Sequence, residues 1–498
     1  MKEYGTVIST FEGPSTRRFS FVINKGNIVR RGQFVQLDVE DGKLIGRVSD
    51  VMKSNKYFMR PESVKEYQNS GKRLDDIFPV DGWECLVADV IPLGVFSNDS
   101  FRESSFPASP GTKVFEPDLD ILGRFFGLDP MGLNIGKFSY HDLDTRLNVT
   151  RLFHKHLAIL AMSGAGKSYL VSVLFEELLK RGQENGLAVI VIDPHGEYIS
   201  FADDPDFSAK TRVFPCSDIR IGLSNLSHHQ INEFLHLKSY AQLRVLTKVI
   251  RNLKVNKNYG INDVIKAIEE DEKIKPGPKD VLTSMLYDLA ETGIFGLADY
   301  PPINELARQG GLSVVDLSAT TDMRKKHMIT AYIARKLFNM RRRGLIPPFL
   351  LVLEEAHQFV PEGAKREDAI ARTVLTTIAR EGRKFHASLC LISQRPVRLS
   401  TTILSQCNTH IILRITNPYD LDRVKESSEG ITRDVANKIS SLQVGKGLIV
   451  GEAVNFPLFI DVRKRSSKES EKGLPLERAA REYYKKKKQQ SEDAKNFM

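Results

Sequence analysis

Cysteine is scarce: Cys85, Cys216, Cys390 and Cys407 are the only four in 498 residues, and no two stand in a CxxC spacing. That argues against a disulfide framework and a cysteine-based zinc site, and points to a reducing compartment. No apolar run approaches the ~18 residues that a membrane-spanning helix needs. The opening residues, MKEYGTVIST, lack the apolar core of a signal peptide. Together these predict a cytoplasmic protein with no membrane attachment. The length suits about three domains. The net charge is +10, and it is unevenly placed. Residues 463–498 hold twelve Lys or Arg against six Asp or Glu, so the remaining 462 residues are close to balanced. A basic tail can bind nucleic acid or simply be a solvated end.

The most informative stretch is LAILAMSGAGKSYLVSVLFEELL, residues 157–179. Leu157–Leu160 read as a buried strand. Leu170, Val173, Leu174 and Leu178 give the next segment a helical apolar face. Between them, Ala161 to Ser168 form a P-loop with Ala in place of the first Gly. Gly164 and Gly166 let backbone N–H groups turn around a polyphosphate at a helix N-terminus. Ser163, Gly164, Ala165, Gly166, Lys167, Ser168 and Tyr169 are therefore the expected nucleotide-binding segment. Lys167 is assigned to the β- and γ-phosphates of ATP, and the Ser168 hydroxyl to Mg²⁺.

A second stretch, PPFLLVLEEAH at 347–357, places two carboxylates at the end of an apolar strand. In this Walker B pattern Glu354 is the metal-side acid and Glu355 the base that orients and deprotonates the attacking water. Two adjacent acids there are costly without a cation nearby. The apolar strand 187–193 ends at Asp193, with His195 and Glu197 following. A carboxylate at a strand's C-terminal end faces the ligand crevice of an open α/β sheet, although it can equally cap its own loop. The strand Ala387–Ile392 ends at Ser393-Gln394, which suits Gln394 for sensing a γ-phosphate. Arg380 and Arg383 precede that strand, as an arginine finger for a neighbouring subunit or as partners in ion pairs. Lys155 and His156 stand just before the P-loop strand, where they can approach a nucleotide or serve as surface charges.

The rest of the chain supplies organisation. Residues 1–95 carry several short alternating strands, with Asp41-Gly42 as a hairpin signal, and predict a small β-barrel acting as an assembly module. Residues 96–145 are rich in turn-forming residues and read as an extended linker with a short strand or two. The ATPase core is expected at 146–223 and 311–462, interrupted by a helical insertion at 224–310. A basic arm and tail follow at 463–498. The fold class is α/β: a RecA-like P-loop ATPase core with an N-terminal small β-barrel and a helical insertion.

AMSGAGKS, IDPHGEY, LVLEEAH and AREGRKFHASLCLISQRP, after a small β-module, resemble the archaeal HerA family within the HerA–FtsK group of hexameric DNA pumps. The resemblance covers roughly residues 1–473. It implies a homo-hexamer with double-stranded DNA in a central pore, ATP at subunit interfaces and a NurA-type nuclease as partner in recombinational repair of DNA ends. It also implies that Lys155 stands beside a nucleotide and that Lys472-Gly473 fold over a neighbour's adenine. By the same resemblance Lys365 and Arg366 lie on a DNA-facing loop. Two other readings stay open: an ATP-gated nuclease scaffold with little turnover, and a protein or conjugation pump of the same superfamily.

Overall fold

The computed structural model describes residues 1–9, 13–55, 65, 69, 84–98, 100–256, 258–363, 369–428, 430–469 and 476–496. The chain forms two compact units. One comprises residues 1–132, 136–147 and 454–461, and the other residues 133–135, 148–453 and 462–498.

The first unit is built on seven strands: β1 (Glu3–Ile8), β2 (Phe19–Ile23), β3 (Phe34–Val39), β4 (Gly42–Asn55), β5 (Glu84–Ser97), β6 (Ser100–Arg102) and β7 (Lys113–Phe115). They pair in the order β2-β1-β7-β3-β4-β5, and β2 pairs again with β5, which closes a six-stranded barrel with β6 added outside β5. Closure removes the unpaired edges that an open sheet of this size would expose. Alternate residues fill the interior, among them Val7, Phe21, Val35, Leu37, Val90 and Val114. Strand β7, between β1 and β3 in the barrel, falls within the stretch read as a linker with a short strand or two. The β3–β4 hairpin turns at Glu40-Asp41. Gly42 opens β4 at φ 135°, which a side chain would resist.

The second unit holds a sheet of β8 (Leu157–Leu160), β9 (Ala188–Asp193), β10 (Thr211–Pro215), β11 (Leu312–Asp316), β12 (Phe349–Leu353), β13 (Ala387–Ser393), β14 (Thr409–Ile412) and β15 (Lys446–Gly451). Their order is β10-β11-β9-β12-β13-β8-β14-β15. All pairings are parallel except β14 with β15. Central strands of a parallel sheet are covered on both faces and so read as continuous apolar runs. Leu157–Leu160 and Leu351–Leu353 are accordingly wholly buried. The helices used below are α1 (Lys167–Lys180), α2 (His228–Leu235), α3 (Tyr240–Leu253), α4 (Ile261–Glu269), α5 (Pro276–Glu291), α6 (Met323–Arg342), α7 (Ile370–Glu381) and α8 (Leu476–Asn496). Helices α2–α5 lie within residues 224–310, the stretch read as a helical insertion. No helix among the described residues is long and apolar enough to cross a membrane.

Candidate active site

In this sheet the P-loop strand β8 and the Walker B strand β12 are not neighbours, because β13 lies between them. All three run parallel, so their C-terminal ends open onto one crevice. The junction is tight there: the Ala161 N–H donates to the Ser393 carbonyl. Gly164 and Gly166 have φ of 75° and 94°, left-handed values that permit the inward turn of the loop. Ala161 is not among the positive-φ residues, so alanine fits in place of the usual glycine. Lys167 and Ser168 form the start of α1, where free N–H groups and the helix dipole favour an anion.

Lys167 joins the two motifs. Its Nζ lies 2.6 Å from Glu354 Oε1 and 2.7 Å from Glu355 Oε1. Burial pulls the ammonium pKa down, but the two carboxylates outweigh it and hold the pKa above the ordinary lysine value. Glu354 is fully buried. That burial, opposed by Lys167 and reinforced by Glu197 and Glu355, raises its carboxyl to about 7. Glu355 occupies a left-handed conformation, φ 50° and ψ 47°, which costs an L-residue with a Cβ on the order of 1–2 kcal/mol. The strain accompanies the abrupt turn after β12 in which both adjacent acids reach the same ammonium.

Further partners surround this triad. Tyr198, also fully buried, donates its hydroxyl to Glu354 Oε2 at 3.0 Å. His357 Nδ1 lies 3.2 Å from Glu355 Oε2 and 3.1 Å from Ser393 Oγ. Burial lowers the pKa of that imidazole, with Glu355 opposing. Sequence reasoning assigned no role to Tyr198 or His357. The signals were present in IDPHGEY and LEEAH, but nothing in the spacing shows that β9 and β12 are adjacent. Gln394 follows β13, half-buried at the same edge.

Asp193 has a different task. Its carboxylate accepts N–H bonds from His195, Gly196 and Tyr198 at 3.2, 2.7 and 3.0 Å. It caps its own loop and offers little to a ligand, which corrects its assignment as a nucleotide contact. Capping orients Tyr198, so Asp193 reaches the site through that residue.

Lys155, Arg380 and Arg383 are at the other end of the sheet. β8 has four residues at about 3.3 Å each, which separates its ends by roughly 13 Å. Lys155 therefore does not stand beside its own chain's P-loop, and its Nζ pairs with Glu452 at 2.9 Å. Arg380 and Arg383 are exposed, just before β13. His156 ties this edge together. Its Nε2 bonds the Ala379 carbonyl at 2.9 Å and its Nδ1 accepts the Leu389 N–H at 3.0 Å. It is a buried structural histidine rather than a nucleotide contact. Tyr169 turns its hydroxyl to residue 465, accepting the Arg465 N–H at 2.8 Å. Lys365, Arg366, Lys472 and Gly473 lie outside the described residues.

The chain also has relatives. Residues 133–337 match the family model described as the central domain of the helicase HerA. A probable helicase of Methanocaldococcus jannaschii is 27% identical over 469 residues, covering 87% of this chain and 86% of that one. A protein of Pyrococcus furiosus named DNA double-strand break repair helicase HerA is 28% identical over 512 aligned positions, covering 89% of each. Among solved structures, VirB4 of Thermoanaerobacter pseudethanolicus shares the fold. Its TM-score is 0.54 at 15% identity, over 68% of this chain and 98% of that one.

Proposed function

We propose that this chain, a relative of the archaeal HerA helicases with a HerA-type central domain, is an ATP-driven translocase on double-stranded DNA. It works as a homo-hexamer and with a NurA-type nuclease in the processing of broken DNA ends, in the cytoplasm. The observation that carries the reading is the Lys167 ammonium held between Glu354 and Glu355. A catalytic base beside a phosphate-binding lysine is what hydrolysis needs and what passive nucleotide binding does not.

The residues fit a magnesium nucleotide. The P-loop turns on positive-φ glycines, and two buried acids with a single lysine between them leave room for further positive charge. Ser168 and Glu354 would hold Mg²⁺, which would draw charge from the phosphate oxygens. The β- and γ-phosphates compete for the Lys167 ammonium and free Glu355 from it. Glu355 then takes a proton from water as the water oxygen bonds to the γ-phosphorus. The bond to the β–γ bridging oxygen breaks, leaving ADP and phosphate. Gln394, just after β13, senses the γ-phosphate.

Lys155, Arg380 and Arg383 share the opposite edge of the sheet, out of reach of their own P-loop. That position suits residues serving the nucleotide of the next subunit, as an arginine finger does. DNA contact would come from the loop carrying Lys365 and Arg366, and Lys472-Gly473 would cover a neighbour's adenine.

The test is steady-state ATPase activity with and without linear duplex DNA, with Glu355→Gln as control. Stimulation by duplex that the substitution abolishes supports a DNA-coupled motor. Nucleotide binding with negligible turnover in both conditions overturns it.

A further inference from the structure

Residues 463–468 form a strap along the P-loop helix, anchored chiefly on one buried acid. Glu176 lies on α1 with no exposed surface. A carboxylate on the buried face of a helix is costly unless it is fully bonded. Here it is. Its Oε1 accepts the N–H groups of Ser466 and Ser467 at 2.9 and 2.8 Å and the Ser467 hydroxyl at 2.7 Å. Its Oε2 takes Arg463 Nη1 at 2.8 Å, while Arg463 Nη2 reaches Glu177 at 2.8 Å. Burial would raise the Glu176 carboxyl, but these donors outweigh it and hold it below the usual value.

The strap also holds the first turn of α1. The Arg465 N–H donates to the Tyr169 hydroxyl, one residue beyond Ser168. Arg465 Nη2 in turn donates to Ser467 Oγ at 3.0 Å, so the two attachment points are linked. At the far end the Lys468 N–H is fixed on Asp204 at 2.7 Å. From Tyr169 to Glu176 is seven residues, about 10 Å of helix at 1.5 Å each. The strap thus runs along α1 from the residue next to Ser168 to the middle of the helix.

We propose that this strap is a positioning element of the nucleotide site. Ser467 and Arg463, acting through Glu176 and α1, hold Lys167 and Ser168 where the phosphates and their cation meet them. Nucleotide in turn stabilises the strap, since coupling between two sites is reciprocal. This rests on the ATP-binding reading above but not on DNA translocation.

The experiment measures Mg-ATP affinity and kinetics for the intact chain, Ser467→Ala, Ser467→Thr and Glu176→Gln. Hydrogen exchange of the 463–468 amides is followed with and without Mg-ATP. A coupling at the low end of the usual range, about 5- to 150-fold in affinity, predicts about tenfold weaker ATP binding and a matching rise in KM for Ser467→Ala. Its kcat should stay within about twofold, and Ser467→Thr should restore affinity by returning the hydroxyl. Mg-ATP should slow strap exchange in the unsubstituted protein, a result that holds even if Glu176→Gln fails to fold. A lower Tm for Ser467→Ala with unchanged ATP affinity makes the strap purely structural and overturns the proposal. Strap exchange indifferent to bound Mg-ATP overturns it as well. A wild-type chain that binds no ATP instead refutes the ATPase reading, so the two failures are distinguishable.

Discussion

Tyr198 donates its hydroxyl to Glu354 Oε2 across 3.0 Å, and neither residue has exposed surface. The bond joins the loop after β9 to the end of β12. Asp193 fixes the same loop through the Tyr198 N–H. Glu354, the proposed metal-side acid, is thereby held by a residue five positions beyond the end of β9. Tyr198→Phe keeps the ring and removes the donor. The expected result is a Mg²⁺ requirement raised about tenfold, from a lost hydrogen bond to a charged acceptor. Titrating Mg²⁺ against nucleotide binding and turnover checks it. An unchanged requirement would show that Glu354 is positioned without Tyr198.

Lys167→Ala removes the phosphate contact and also strands two buried acids. Turnover should vanish. Stability should drop by about 3–5 kcal/mol near neutral pH, the cost of breaking a buried ion pair from one side. The sign of the pH dependence follows from Glu354, whose carboxyl stands at about 7 when folded against an ordinary value of 4.5. The folded state then holds the extra proton, so the penalty is present above that range and fades as pH falls below it. Denaturant unfolding at pH 8 and pH 5 measures both values. An equal penalty at the two pH values contradicts this account.

Arg380 and Arg383 should separate cleanly. The one that serves a neighbour's nucleotide should lose about 10³-fold in rate as alanine. Mixed with unsubstituted subunits, that variant should suppress activity beyond its share of the ring. Mixing titrations followed by ATPase rate report it. Equal and mild losses at both positions would remove both from the mechanism.

Three buried histidines predict acid sensitivity. His141, His156 and His410 are each lowered by burial from 6.5 to about 4. The unfolded chain takes up these protons near pH 6.5, and the folded chain resists until about pH 4. Stability is therefore present above the unfolded value and is lost as pH falls through that window, by up to roughly 3 kcal/mol for each. His141 Nε2 accepts the Phe34 N–H at 3.0 Å. His141→Gln offers another acceptor without the titration, and should flatten the acid limb of unfolding for the barrel unit. Denaturation midpoints between pH 4 and 7 decide it.

The sequence by itself determined the motifs and the elements that carry them. A P-loop needs a strand, a glycine turn and a helix in succession, and all three are local, so AMSGAGKS declares its own context. The same holds for the apolar run ending in Glu354-Glu355. The tertiary structure decided which strand lies beside which, and that changed the meaning of individual residues. Parallel strands separated by long crossovers carry no local record of their order, so the approach of Tyr198 to Glu354 could not be read from spacing. Direction along a strand mattered equally. Lys155 and Lys167 stand near each other in sequence, yet β8 puts them at opposite ends of the sheet. No role was assigned to Glu176 from the sequence alone. Its partners arrive from almost 300 residues later, and only the folded chain brings that strap to it.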